Sequence, residues 1–564
     1  MHHRTLSQMS LSPGAHNQVA SRRGRQGVGT LLLLLCALLL ILVACSNGNS
    51  SKSPGNGTPS QSVAQVLKFP NVGTEDAASL DPAQGPDENT GQVISMIFSG
   101  LVALDANLNV VPDQATWQAS DDGKTYTFKI HDDVRFSDGT PVTAQSYIYT
   151  WTRALLPEVA SPIASTFEDQ IIGSDEVASG KTKTLSGLKA LDDHTLQVSL
   201  KTASPYFLSA LTNSLFAPLN QKVIEKYGEK SWPQKALGEG IGAGPFIAQS
   251  WDHNVKMVFV PNKYYYGKKT RLQQVEMYFV NDASTAFKAY RAGQYSFVWK
   301  VSPQDQITAR GISGFRSQSR LQTDLLFFDN TKPPFDRPEV RQAFAYAIDK
   351  TKLVNNVLKN AALAAPTIIP PGMPSYQPDY AGIPFDPNKA KSLIQSVYPD
   401  ITKVPTITFS YPNSQVSSAE AAALQNMWQS ALGIQVKLRS VEVTAYNDET
   451  AKKQIQFGFT QWGADFPDPY DWLYLNLLSS AANNNGQWKN TEFDATVQTA
   501  ETKTGDERIS LYNKAEQIAI TDVGWLPLDH ASLAAIIPPT LHGVTLNANG
   551  LYFGNWSNVY LTQK

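Results

Sequence analysis

Two segments of the chain place apolar–polar alternation on either side of a helix-period run. In the first, Val275–Val280 alternates as a strand and Asp282 stands where a helix cap belongs. Ala283–Arg291 follows as a helix ending before Gly293, and Tyr295–Trp299 returns as a strand. In the second, Ile407, Phe409 and Tyr411 alternate, and Leu424, Met427, Trp428, Ala431 and Leu432 fall on one helical face. Gly433 then stops the helix, and Ile434, Val436 and Leu438 alternate again. Period 2 flanking period 3.6, with glycine just past the helix, predicts a strand–helix–strand unit in each case. A parallel pair joined by a helix needs a right-handed crossover, so each half of the chain is expected to carry an α/β lobe. Between Leu108 and Gly240 the pattern changes. Tyr126, Phe128 and Ile130 alternate after an Asp122-Gly123 turn, and Thr143 heads a helix with Tyr147, Ile148, Trp151 and Leu155 on one face. Leu196, Val198 and Leu200 alternate after Asp192-Asp193. Hairpins around a helix predict a smaller α+β domain inserted within the first lobe.

Ile455–Gln461 reads as a further buried strand, followed by Trp462, Asp465, Asp468 and Asp471 in a run broken by Pro467 and Pro469. The prolines exclude a helix at that point. Three uses of these acids stand side by side: a catalytic pair or oxygen-ligand site, the capping of a tight turn, and the binding of a ligand. Position favours the last, because Asp465 sits just past the carboxyl end of a strand, where open α/β sheets bind ligands. Enzymatic chemistry has no comparable anchor. There is no His-Glu-x-x-His, the eight histidines are scattered, and no Gly-x-Ser-x-Gly elbow occurs. Gly240-Ile241-Gly242-Ala243-Gly244 lacks the Lys-Ser/Thr that completes a phosphate loop and runs through Pro245 into a strand-like segment. No enzyme activity, cofactor or metal is expected.

The N-terminus bears on compartment. Residues 1–30 carry Arg4, Arg22, Arg23 and Arg25 and no acid, and Leu31–Ala44 is apolar apart from Cys36. That run is shorter than the ~20 residues of a membrane span and reads as a signal-peptide core. It ends in Leu42-Val43-Ala44-Cys45, which looks like the lipobox of bacterial lipoproteins, with Cys45 as the lipidated residue. Removing residues 1–44 leaves 43 basic residues against 49 acids, a charge of about −6, which argues against a nucleic-acid partner. Cys36 and Cys45 are the only cysteines, so the exported part has no disulfide and no thiol nucleophile. Ser, Gly, Asn, Pro and Thr dominate Ser46–Ser62, the composition of a solvated tether.

Five ordered stretches carry a family likeness. They are Ser79-Leu80-Asp81-Pro82 with Phe98-Ser99-Gly100-Leu101; Ser120–Phe128 leading to Phe136–Ala144; Gly242–Phe246; Pro333–Asp336 with Val340–Phe344; and Trp462–Pro469. In that order the chain resembles the extracytoplasmic oligopeptide- and dipeptide-binding proteins of ABC importers, the family 5 solute-binding lipoproteins. The resemblance implies a two-lobed, type II periplasmic-binding-protein-like α/β fold with a third α+β domain inserted in lobe one. Residues 1–45 would be the signal peptide and lipobox and 46–64 the tether. Lobe one would comprise 65–107, 239–324 and 529–564, with 108–238 as the inserted domain and 325–528 as the other lobe. The lobe crossings are expected near Leu325–Asp329 and Trp525–Asp529.

The resemblance also implies a function: capture of oligopeptides by hinge closure, as a monomer anchored to the outer face of the cell membrane, and delivery to permease subunits. Carried over residue by residue, Asp465 pairs with the peptide's α-amino group, beside Trp462, Gly463 and Ala464. The loop Gly85–Asn89, with Asp87 and Glu88 as ligand-binding candidates, faces the ligand backbone, and Pro86 removes one N–H donor there. Ile163 stands where relatives carry a cleft tyrosine, and Trp299 is a further ligand-binding candidate. Asp468, on the same turn as Asp465, is expected to matter much less. Phe459 replaces an arginine and Gly463 a cysteine found in some members. Rival readings keep the fold with a nickel chelate, haem or oligosaccharide as solute, or make the chain a lipid-anchored hydrolase or a surface sensor.

Overall fold

The computed structural model describes residues 63–563 except Pro86 and 165–167. Cys45, the apolar run before it and the tether through residue 62 therefore lie outside the described residues, as do Pro86 and Ser165.

Lobe one is built on a four-stranded sheet. Val66–Val72 pairs in parallel with Gln274–Val280, which continues antiparallel to Lys256–Pro261 and then Phe246–Asp252. Leu67, Phe69, Val275 and Met277 are fully buried, on the period-2 face that a half-covered sheet requires. The helix Ala283–Arg291 forms as expected, with Asp282 accepting from the Thr285 N–H at its start.

The return strand after that helix departs from expectation. Only Val298–Trp299 is strand, and it pairs antiparallel with Leu526–Ile536 rather than in parallel beside Gln274–Val280. The parallel position is taken by Val66–Val72, from some two hundred residues upstream. The returning chain touches the far edge of that strand at Ser296, whose N–H donates to Lys68 O (2.7 Å), and then joins the second sheet.

The second sheet spans both lobes. In order it contains Val298–Trp299, Leu526–Ile536, Phe315–Phe328, Phe457–Gly463, Thr408–Pro412 and Lys437–Val441, with Ala362–Ala364 pairing onto Leu526–Ile536. Thr408–Pro412 and Lys437–Val441 are parallel and joined by the helix Gln415–Leu432, the second crossover unit read from sequence. Gly433 ends that helix at φ 71°, a left-handed conformation that glycine adopts without penalty. Trp428 from the helix packs on Phe344, Phe409 and Phe457, with ring centroids 5.1–5.5 Å apart. Each such buried side chain contributes roughly 1.5–3 kcal/mol.

The long antiparallel strands Phe315–Phe328 and Leu526–Ile536 cross between lobes. Ala534–Ile536 join the core of Phe69 and Phe297, whereas Leu326, Phe328 and Leu526 join that of Phe409 and Trp428. Their register breaks twice, between Ser319 and Thr323, opposite Ser532 and His530, and between Asp324 and Leu325, opposite Asp529 and Pro527. The first break lies a few residues from the ranges expected for the crossings, and the second reaches into both, at Leu325 and at Pro527 to Asp529.

The block between the lobe-one segments folds as an antiparallel sheet ordered Ala115–Ala119, Thr125–Ile130, Thr195–Ser199, Leu188–Asp192. The helix Ala144–Leu155 buries Tyr147 and Trp151 near it, and the Trp151 indole donates to Phe216 O (2.9 Å). No helix among the described residues is long and apolar enough to cross a membrane.

Candidate functional site

A cleft of about 770 Å³ lies between the lobes, within the range of pockets that enclose small ligands. One wall carries Gly85, Asp87, Glu88, Gly91 and Gln92. The other carries Arg320, Gln322 and Gln461 through Asp465, and Asp113, Ile163, Asn549 and Phe553 are also among the lining residues. Seven of the eight ligand-binding candidates read from sequence thus share one cavity, namely Asp87, Glu88, Ile163, Trp462, Gly463, Ala464 and Asp465.

Trp299 does not join them. It is fully buried in the lobe-one core, its indole N–H donating to Pro70 O (2.6 Å). Its influence on the cleft is indirect, since the Lys300 ammonium lies 4.6 Å from its ring centroid and 3.0 Å from Glu88 Oε2.

The turn bearing Asp465 is fixed by backbone pairing first. Gly463 stands opposite Gln322 at the end of Phe457–Gly463, and the Ala464 N–H donates to Leu321 O (2.8 Å). The three acids that follow take three different positions. Asp468 is buried and accepts two bonds from Arg508 (2.9 and 2.7 Å). Asp471 is fully buried, and its Oδ2 accepts from the Trp462 indole (3.0 Å) and the Asp465 backbone N–H (3.1 Å). Asp465 alone of the three is exposed, at the cleft wall. Tyr206 stacks on Phe466 and Tyr470 at 5.8 and 3.9 Å, bracing the turn from the inserted block.

The electrostatics separate these acids further. The concave protein surface around Asp465 pushes its carboxyl up to about 6, and no cation contributes an opposing pull. Glu88 is compensated twice, by Lys300 and by Arg320, each at 3.0 Å. Asp87 caps the helix Glu88–Ile97, accepting from the N–H groups of Asn89 and Thr90. Ile163 is half-buried, and its segment is tied to lobe one by the Ser161 hydroxyl donating to Ala83 O (2.7 Å).

Sequence reasoning missed Arg320, Gln322, Gln461 and Asn549 as lining residues. Arg320 lies in the polar run Arg316–Arg320 of a strand that is otherwise apolar toward its end. That run is the one local signal that could have marked it.

Residues 109–484 match the family model described as bacterial extracellular solute-binding proteins, family 5 middle. The oligopeptide-binding protein OppA of Bacillus subtilis strain 168 is 29% identical over 545 residues, 93% of this chain and 98% of its own. The probable deoxycholate-binding periplasmic protein YgiS of Escherichia coli K12 is 30% identical over 495 residues, 86% and 91% of the two chains. Among solved structures, the Escherichia coli murein tripeptide binding protein MppA superimposes with a TM-score of 0.76 at 27% identity, covering 89% of this chain and 99% of its own.

Proposed function

From the premise that this chain belongs to the bacterial extracellular solute-binding proteins of family 5, with their two-lobed type II fold and additional domain, we propose that it captures oligopeptides and delivers them to an ABC importer. The peptide's α-amino group is held by Asp465. One observation carries this reading: Asp465 faces the interlobe cleft as a partly desolvated carboxylate that no cation compensates, while Glu88 and Asp468 are already paired. An ammonium taken out of water loses hydration worth several kcal/mol and needs a charge-assisted partner. The relatives named for oligopeptides and a murein tripeptide support the same class.

The two crossing strands supply the hinge about which the lobes close, and the closed form docks on the permease. Main-chain hydrogen bonds give affinity, and roomy side-chain pockets tolerate many sequences. Cys45 carries the lipid that holds the monomer at the outer face of the membrane.

Calorimetry with mixed short peptides tests the reading. Free-amine peptides are expected to bind, whereas deoxycholate, nickel, haem and cello-oligosaccharides are not. Deoxycholate belongs in the panel because of the relative named for it; it has no amine and would leave Asp465 unmatched. Binding of only a non-peptide would refute the assignment.

A further inference from the structure

Asp471 has no ligand to touch, yet it is the group on which the Asp465 turn hangs. It lies in the π-helical turn Tyr470–Tyr474 and is fully buried. One of its oxygens, Oδ2, accepts from the indole of Trp462 and the backbone N–H of Asp465, the two cleft residues on either side of Gly463 and Ala464. Its other oxygen, Oδ1, has no hydrogen-bond partner. Its main-chain carbonyl accepts from Asn476 Nδ2 (2.8 Å), so the residue is held from below as well.

The charges around it are of its own sign. Asp465 and Asp468 both repel it, and the nearby Arg508 is committed to Asp468 and Glu501. Burial and these neighbours push the Asp471 carboxyl well above the usual carboxylate range. A buried acid with two neutral donors, one orphan oxygen and no cation is more stable with its proton than without it.

We propose that Asp471 is the positioning residue of the amine site, a neutral buried acid that aims Trp462 and Asp465 into the cleft while Asp465 alone carries the charge. The division follows from the geometry: two carboxylates so close cannot both ionise cheaply, and the one reached by solvent is Asp465. The inference rests on the amine reading above, so its test separates the two. Calorimetry with a free-amine peptide and its N-acetylated form on the wild-type protein comes first. Equal binding of the two forms refutes the amine reading itself and with it this inference.

With a wild-type preference for the free amine in hand, three variants decide the role of Asp471. Asp471→Asn keeps the acceptor and the shape but can never ionise. It is expected to bind the free-amine peptide within about threefold of wild type at pH 7 and to keep the wild-type acid limb, the fall in affinity as Asp465 takes up its proton at low pH. Asp471→Ala removes the acceptor and is expected to lose at least tenfold for the free-amine peptide and little for the acetylated one. Should Asp471→Ala not fold, Asp471→Leu fills the same buried space without an acceptor and is expected to show the same selective loss. A loss in Asp471→Asn as large as in Asp465→Asn, or an acid limb moved down by a pH unit, means that Asp471 is charged and overturns the proposal. Wild-type affinity for free-amine peptides in Asp471→Ala or Asp471→Leu overturns it as well.

Discussion

Replacing Asp465 by asparagine removes a cleft-wall carboxylate that no cation compensates, without changing its size. In the empty protein the effect on stability should be small, because the side chain is exposed and makes no ion pair. Its cost appears on binding. Once the lobes close over the peptide, the ammonium is out of water, and two unit charges about 4 Å apart at an effective dielectric of about 20 attract by about 4 kcal/mol. Breaking one side of a buried pair costs about 3–5 kcal/mol, which is roughly a hundredfold to several-thousandfold weaker binding. Isothermal calorimetry with free-amine and N-acetylated forms of one peptide reads this directly. N-acetylation should weaken wild-type binding by a similar factor but add little to Asp465→Asn, since both changes break one interaction. The carboxyl titrates near 6 in the empty cleft and must be ionised to hold the amine. Wild-type affinity should therefore be level from about pH 6 to the point where the peptide amine deprotonates, near 8, and fall about tenfold per pH unit below 6. Asp465→Asn should lack that acid limb. A remote control is Glu492→Gln, which removes an equal charge from an exposed pair with Lys514. Additive losses in the cycle, or an acid limb that survives in Asp465→Asn, would refute the reasoning.

Three further outcomes are expected. Asp468→Asn should lower folding stability by about 3–5 kcal/mol in urea denaturation, because it strips one side of the buried Asp468–Arg508 pair, so its smaller effect on peptide binding is to be read on folded protein only. Glu420 is buried beside Asp324, and burial followed by that neighbour pushes its carboxyl from 4.5 up to about 8. Its native value is raised, so its contribution is fully present below about pH 4.5 and is lost by about 1.4 kcal/mol per unit as pH rises toward 8. Glu420→Gln should accordingly flatten the stability–pH curve between 5 and 8, and an unchanged slope in chemical denaturation would contradict it. Cys45→Ser should release the protein from membranes or leave its signal uncleaved, and correctly processed, membrane-retained protein on fractionation would rule out the anchor.

The second crossover unit was legible because everything it needs is local: alternation, one helical face and the stop at Gly433 lie within some thirty residues. The first was half legible. Its helix and cap formed as read, but the neighbour of Gln274–Val280 is Val66–Val72, and no local pattern reveals a strand arriving from so far upstream. Trp299 illustrates the ambiguity of an aromatic at a strand end, which serves a core and a cleft equally well on paper. In the site itself, position past a strand and family likeness both pointed to Asp465. Three aspartates within seven residues look alike in sequence, however, and only the fold gives one to Arg508, one to the turn and one to the cleft.

The central claim is that this cleft holds peptides by their amino termini. The most direct measurement is mass spectrometry of the solutes that co-purify with the protein from its native cells, released by acid and treated with an amine-specific reagent. The account predicts a mixture of short peptides that take up the reagent at their N-termini. A non-peptide solute, or peptides blocked at the N-terminus, would contradict it.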